Sequence, residues 1–95
     1  MIRAMTAEDI PRVSEIRVGV LFGQIEDGYE LYVYDDGVVK GFMGLCPCRD
    51  EDEIGSFELG AIYIDPLMQG RGIGSKLVGF CEKTAIERGY KRVVI

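Results

Sequence analysis

The sequence predicts an α+β domain on a mixed sheet, and three patterns predict it. An early stretch has helical spacing. Three aromatic and β-branched runs follow with turn signals between them, and the chain closes on strand, glycine turn, helix and strand. Neighbouring runs joined by short connections pair antiparallel. A strand–helix–strand unit instead makes its two strands parallel, with a right-handed crossover. The expected order is one helix, an antiparallel meander and one βαβ unit.

Each element has a local reason. Residues 2 to 5, "IRAM", form a short apolar start read as a strand. In "TAEDIPRVSEIRVGV", Thr6 followed by Asp9 fits a capping box, and Ile10, Val13 and Ile16 recur along one helical face. Pro11 is tolerated only near the start of that helix, where backbone donors lack intrahelical partners. Through "GVLFGQIEDGYE" the periodicity blurs, which reads as a loop with one irregular helical turn.

"YELYVYDDG" and "VVKGFMGLC" are strands joined at Asp35, Asp36 and Gly37, since Asp-Gly tolerates the positive φ angles of a hairpin turn. "RDEDE", residues 49 to 53, is a solvated acidic loop, and "SFELGAIYID" is a third antiparallel run. Asp65-Pro66 ends it, because proline cannot continue a ladder. "SKLVGFCEKTAIERGY" spaces Leu77, Cys81 and Ala85 four apart with Val78 and Ile86 beside them, and Gly89 is a natural C-cap. "KRVVI" begins a final strand.

Ninety-five residues make one small domain, and 47% apolar with 28% charged residues is ordinary globular composition. No run approaches the roughly 18 apolar residues of a membrane span. "MIRAMTAEDIPR" lacks the layout of a signal peptide. A cytoplasmic protein with no membrane partner is expected. A net charge of −5 argues against a nucleic-acid partner and suits a cationic substrate such as an amine. Cys46, Cys48 and Cys81 occur in a chain without histidine, so "CPC" has no second ligand pair, and reduced structural thiols with no metal are expected.

The most informative stretch is "MQGRGIGSKL", residues 68 to 77, where Gly70, Gly72 and Gly74 lead straight into the last helix. Backbone N–H groups at a helix start lack intrahelical partners, and the helix dipole makes that end electropositive. Glycines let a phosphate or pyrophosphate approach those amides, and Arg71 and Lys76 add charge nearby. A Walker loop would need Gly-Lys-Ser/Thr, whereas Gly74 is followed by Ser75-Lys76. The dinucleotide fingerprint would need G-x-G-x-x-G after a parallel strand.

A third pattern fits. "QGRGIG", Gln69 to Gly74, resembles the acyl-coenzyme A signature of the GNAT superfamily of N-acetyltransferases, Q/R-x-x-G-x-G/A. "MTAEDIPRVSEI" is similar to the opening strand and first helix of such proteins, "YVYDDGVVKGFMGL" to their second and third strands, and "FELGAIYIDPLMQGRGIGSKL" to the fourth strand and following helix. The likeness covers nearly the whole chain, in order. It implies an acyl-CoA N-acyltransferase-like fold over residues 1–95 as a single domain, without the C-terminal helix and strands of the family. It also implies transfer of acetyl from acetyl-CoA to a primary amine by direct attack.

By that resemblance, the amides of Gly70, Arg71, Gly72, Ile73, Gly74 and Ser75, with Gln69, hold the pyrophosphate. The backbone of Ile62, Tyr63 and Ile64 pairs with the pantetheine arm, and a bulge splays this strand from the next. An N–H near Ile62 polarises the thioester carbonyl. Glu58 is the candidate general base, with strand alternation setting it on the side of Gly60 and Ile62 ahead of any bulge. Tyr63 is core or cleft wall, and Asp65 a strand terminator. None of the five tyrosines matches the family's usual acid. The open backbone edge of "RVVI" suggests a homodimer. Two alternatives remain: a non-catalytic acyl-CoA-binding or dimerising module, and a nucleotide-binding α/β fragment.

Overall fold

The structure, a computed structural model, describes residues 1–16, 23, 28–47 and 56–94. Most of the expected irregular turn between Gly19 and Tyr29, together with Cys48, the acidic run 49–53 and Ile95, lies outside the described residues. Among those described, five strands form one sheet: β1 (Ile2–Ala4), β2 (Glu30–Asp35), β3 (Val39–Pro47), β4 (Ser56–Ile64) and β5 (Arg92–Val94). They lie in chain order. The first three junctions are antiparallel, and β4 and β5 are parallel. Helix α2 (Ile73–Glu87) makes the crossover between them. Residues 10–16 are helical and are labelled α1.

The Thr6–Asp9 signal opens α1 as expected, although its first turn is a 3₁₀ turn over Ala7–Asp9. Asp9 is buried, and its carboxylate accepts from the Thr6 N–H at 2.8 Å and from two nitrogens of Arg3 at 2.8 and 2.9 Å. The Arg3 hydrogen bonds hold the Asp9 carboxyl well below the usual carboxylate range. The helix start is thereby tied to β1.

The two faces of the sheet carry separate cores. Ile10, Val13 and Ile16 of α1 pack with Leu31, Val33, Phe42 and Tyr63. On the other face, Ile73, Leu77, Cys81 and Ala85 of α2 pack with Met43, Leu45, Phe57 and Leu59, and Ile62 and Ile64 join them. Ile86, expected on this apolar stripe, is 75% exposed and lies off it. Helix α2 ends as its sequence indicates. Gly89 has φ +81°, its N–H donates to the Ile86 carbonyl, and the Tyr90 N–H donates to Ala85.

Strand β4 does not alternate evenly. Leu45 pairs with Leu59 while Gly44 pairs with Ala61, which leaves Gly60 as an extra residue. A bulge of this kind shifts side-chain facing by one. Phe57 and Leu59 before it, and Ile62 and Ile64 after it, therefore face α2 together. This corrects the sequence expectation for Glu58. It lies between Phe57 and Leu59 on the α1 face, which it shares with Tyr63 and not with Ile62.

Candidate active site

The candidate site begins on β4 beyond its pairing with β5. Among the described residues, β5 pairs only with Ser56, Phe57 and Glu58. The last described residue of β5 is Val94, so among the described residues no strand lies beside Leu59 to Ile64 on the edge of β4 away from β3, and the bulge at Gly60 falls within that stretch. Backbone donors and acceptors along such an edge are open to an extended ligand. The backbone of Ile62, Tyr63 and Ile64 lies in this stretch. Their side chains are anchored on both faces, with Ile62 and Ile64 in the α2 core and Tyr63 stacked on Phe42 at 5.6 Å between ring centroids.

The glycine turn reaches the same place from the other side. Ile73, the first residue of α2, packs in the same core as Ile62 and Ile64 of β4. Asp65 turns the chain between them. Its carboxylate accepts from the Leu67 N–H at 2.9 Å, opening the 3₁₀ turn Pro66–Met68. Arg12 of α1 pairs with the same carboxylate while its Nε donates to the Val39 carbonyl at 2.8 Å. Asp65 thus does more than end a strand. It pins α1 to the end of β4, and the pairing lowers its pKa.

The three glycines are not equivalent. Gly70 has φ +83° and Gly72, the N-cap of α2, has φ +76°, so the turn itself favours glycine at both. Gly74 has no such φ, and a Cβ added there would meet nothing within 4 Å. Glycine in a helix costs roughly 0.5–1 kcal/mol relative to alanine, and the chain's own packing gives no return for it here. Open space also lies above Gly70 and Gly72. Among the described residues, no side-chain hydrogen bond caps the helix. The start of α2 is thus unobstructed at these three positions. Gln69, Arg71 and Ser75 are exposed. Lys76 Nζ leans over the Tyr34 ring, 5.5 Å from its centroid.

Glu58 stands in the last row paired with β5, partly buried on the α1 face. Its Oε2 accepts from the Tyr29 hydroxyl at 2.6 Å and from the Cys46 thiol at 3.5 Å. Reading the sequence as separate elements missed this grouping. The register reveals it: Glu30 pairs with Leu45 and Cys46 with Glu58, so Tyr29, one step before β2, continues the same cross-strand row. Gly60 is the local sequence signal, since glycine inside a strand marks a bulge or a close approach. A Cβ there would stand 1.9 Å from Tyr29 Cε2. The hydrogen bond to Glu58 raises the Tyr29 pKa, with burial adding to it.

A separate groove of about 300 Å³ lies at the far end of α2, against Glu82, Ile86, Tyr90 and Val93. It contains none of the residues expected in the site. No described helix is long and apolar enough to cross a membrane.

Comparison with known proteins bears on the family and the fold. A family model described as "Acetyltransferase (GNAT) family" matches residues 2–95. No curated protein sequence matches the chain. A ribosomal-protein-alanine N-acetyltransferase from Brucella melitensis superimposes with a TM-score of 0.71 at 25% identity, over 95% of this chain and 69% of that one. An IAA acetyltransferase from Bacillus cereus gives 0.73 at 24% identity, over 98% and 62%. A GNAT family acetyltransferase from Brucella melitensis in complex with acetyl-CoA gives 0.77 at 18% identity, over 98% and 72%.

Proposed function

Because the chain belongs to the GNAT acetyltransferase family, we propose that it moves an acetyl group from acetyl-CoA to a primary amine by direct attack. The observation that carries this reading is one juxtaposition. The start of α2, with open space over Gly70, Gly72 and Gly74, packs in one core with the bulged strand β4, whose outer edge beyond Glu58 has no described strand partner. The amides from Gly70 to Ser75 and Gln69 would hold the diphosphate, and the backbone of Ile62, Tyr63 and Ile64 the pantetheine arm. When bound, acetyl-CoA supplies an acyl group already activated as a thioester.

The chain's own part is to orient and to handle a proton. An amine nucleophile must be neutral and must lose one proton as its N–C bond forms and the C–S bond breaks. Glu58 takes that proton, directly or through a water, in the cross-strand row that it shares with Cys46 and Tyr29. The departing thiolate collects a proton from solvent and Glu58 returns to solvent the one it took, so amine and thioester become amide and thiol with no net change in protons. The acidic surface, net charge −5, favours approach of a cationic amine.

Calorimetric titration with acetyl-CoA, followed by thiol release in the presence of an amine panel, tests the proposal. Saturable binding with amine-dependent thiol release is expected. Absence of binding overturns the site, and binding without turnover on any amine overturns the activity in favour of a binding module.

A further inference from the structure

Glu58 does not stand alone on its face of the sheet. The Tyr29 hydroxyl lies 2.6 Å from Glu58 Oε2, and the Tyr29 ring lies over Gly60 so closely that a Cβ there would be 1.9 Å from Cε2. One side chain therefore touches the candidate base at its tip and the bulge along its body. A hydrogen bond to one carboxylate oxygen fixes the rotation of the carboxylate and leaves the other oxygen to face a nucleophile. A ring resting on a bulged glycine also resists any flattening of the strand at that point.

Resting on the assignment of Glu58 as base, we propose that Tyr29 is a positioning residue for this reaction, orienting the Glu58 carboxylate through its hydroxyl and holding the Gly60 bulge open with its ring. Tyr29 keeps its own proton in this role. Its pKa is raised by the bond to Glu58, so at neutral pH the phenol remains a donor. Cys46 completes the row on the same oxygen at 3.5 Å, a longer and weaker contact than that of the phenol. The two functions of Tyr29 separate by substitution. Phenylalanine removes the hydroxyl and keeps the ring on Gly60, while alanine removes both.

The test is a double-mutant cycle on the full chain with an amine that gives turnover: Tyr29→Phe, Glu58→Gln and the two combined, with kcat and the KM for acetyl-CoA measured for each. Hydrogen bonds to charged groups are strong enough that Tyr29→Phe is expected to lower kcat about 10- to 100-fold, with the acetyl-CoA KM unchanged. In the Glu58→Gln background the same change is expected to do nothing further, because the group it orients is gone. A merely structural tyrosine would lower kcat equally in both backgrounds, and that result overturns the inference. So does a Tyr29→Phe variant with the parent's kcat. A Glu58→Gln variant as active as the parent overturns the base assignment itself, and the role given to Tyr29 falls with it. Tyr29→Ala, read by acetyl-CoA affinity, isolates the ring: weaker binding than in Tyr29→Phe supports the hold on the bulge, and equal binding contradicts it.

Discussion

Replacing Gly72 with alanine separates a turn that only shapes the chain from one that also receives a ligand, provided Gly70→Ala is measured beside it. The two positions are matched. Gly70 has φ +83° and Gly72 has φ +76°, and a Cβ at either meets nothing within 4 Å. Steric cost from the protein is absent at both, so each variant bears only the backbone penalty of a left-handed L-residue, about 1–2 kcal/mol. In a domain of this size that lowers Tm by roughly 5–15 °C.

Affinity should distinguish them. Gly72 caps α2 and stands at the first fixed glycine of the Q/R-x-x-G-x-G/A pattern, where a methyl group would intrude on the approach to the helix amides. Losing one charge-assisted amide contact costs about 1.5–3 kcal/mol, a rise in Kd of roughly 10- to 150-fold. Gly70 occupies a variable position of the pattern, and its replacement should leave Kd within a few-fold of the parent. Thermal melts without ligand and calorimetric titration with acetyl-CoA, both well below the lower Tm, give the two quantities. Equal losses of affinity, or a Gly72→Ala variant that binds like the parent, would refute the reasoning.

Other substitutions probe the neighbouring parts. Gly74→Ala should stabilise the chain by about 0.5–1 kcal/mol and keep acetyl-CoA binding, because Gly74 has no positive φ and open space around it, and the pattern admits alanine there; a fall in Tm on thermal melting would contradict this. Gly60→Ala drives a methyl into the Tyr29 ring at 1.9 Å and should cost about 1–3 kcal/mol in denaturant unfolding, whereas unchanged stability would mean that the ring does not sit there. Folding stability should also fall in acid through the Arg3–Asp9 pair. The pKa of Asp9 is depressed in the folded state relative to its ordinary 3.8, so its contribution is fully present above that value and is lost as pH drops below it. Melting curves from pH 6 to pH 2 should show a flatter decline for Asp9→Asn than for the parent, and parallel declines would argue against the pair.

Local chemistry was readable in the sequence, and contacts between distant strands were not. Thr6 with Asp9, Asp35 to Gly37, Gly72 and Gly89 each announce a cap or turn within a few residues, and each stands where its chemistry indicates. The α2 stripe of Leu77, Cys81 and Ala85 was legible by its period, but Ile86 satisfied the same period and faces solvent. Periodicity alone does not say how wide a helix face the sheet can cover. The facing of Glu58 required the position of a bulge. Gly60 within "FELGAIYI" signals one, yet only the pairing of Leu45 with Leu59 and Gly44 with Ala61 fixes it. Tyr29 with Glu58, and Arg12 with Asp65, join residues far apart in the chain through strand register and helix docking, which no local pattern encodes.

The most direct measurement is a two-dimensional ¹⁵N amide spectrum of the chain titrated with acetyl-CoA. The largest shifts should fall on the amides from Gly70 to Ser75 and on Ile62, Tyr63 and Ile64, the two stretches that adjoin across the start of α2. Shifts confined to the groove beside Glu82, Ile86 and Tyr90, or no shifts at all, would contradict the site.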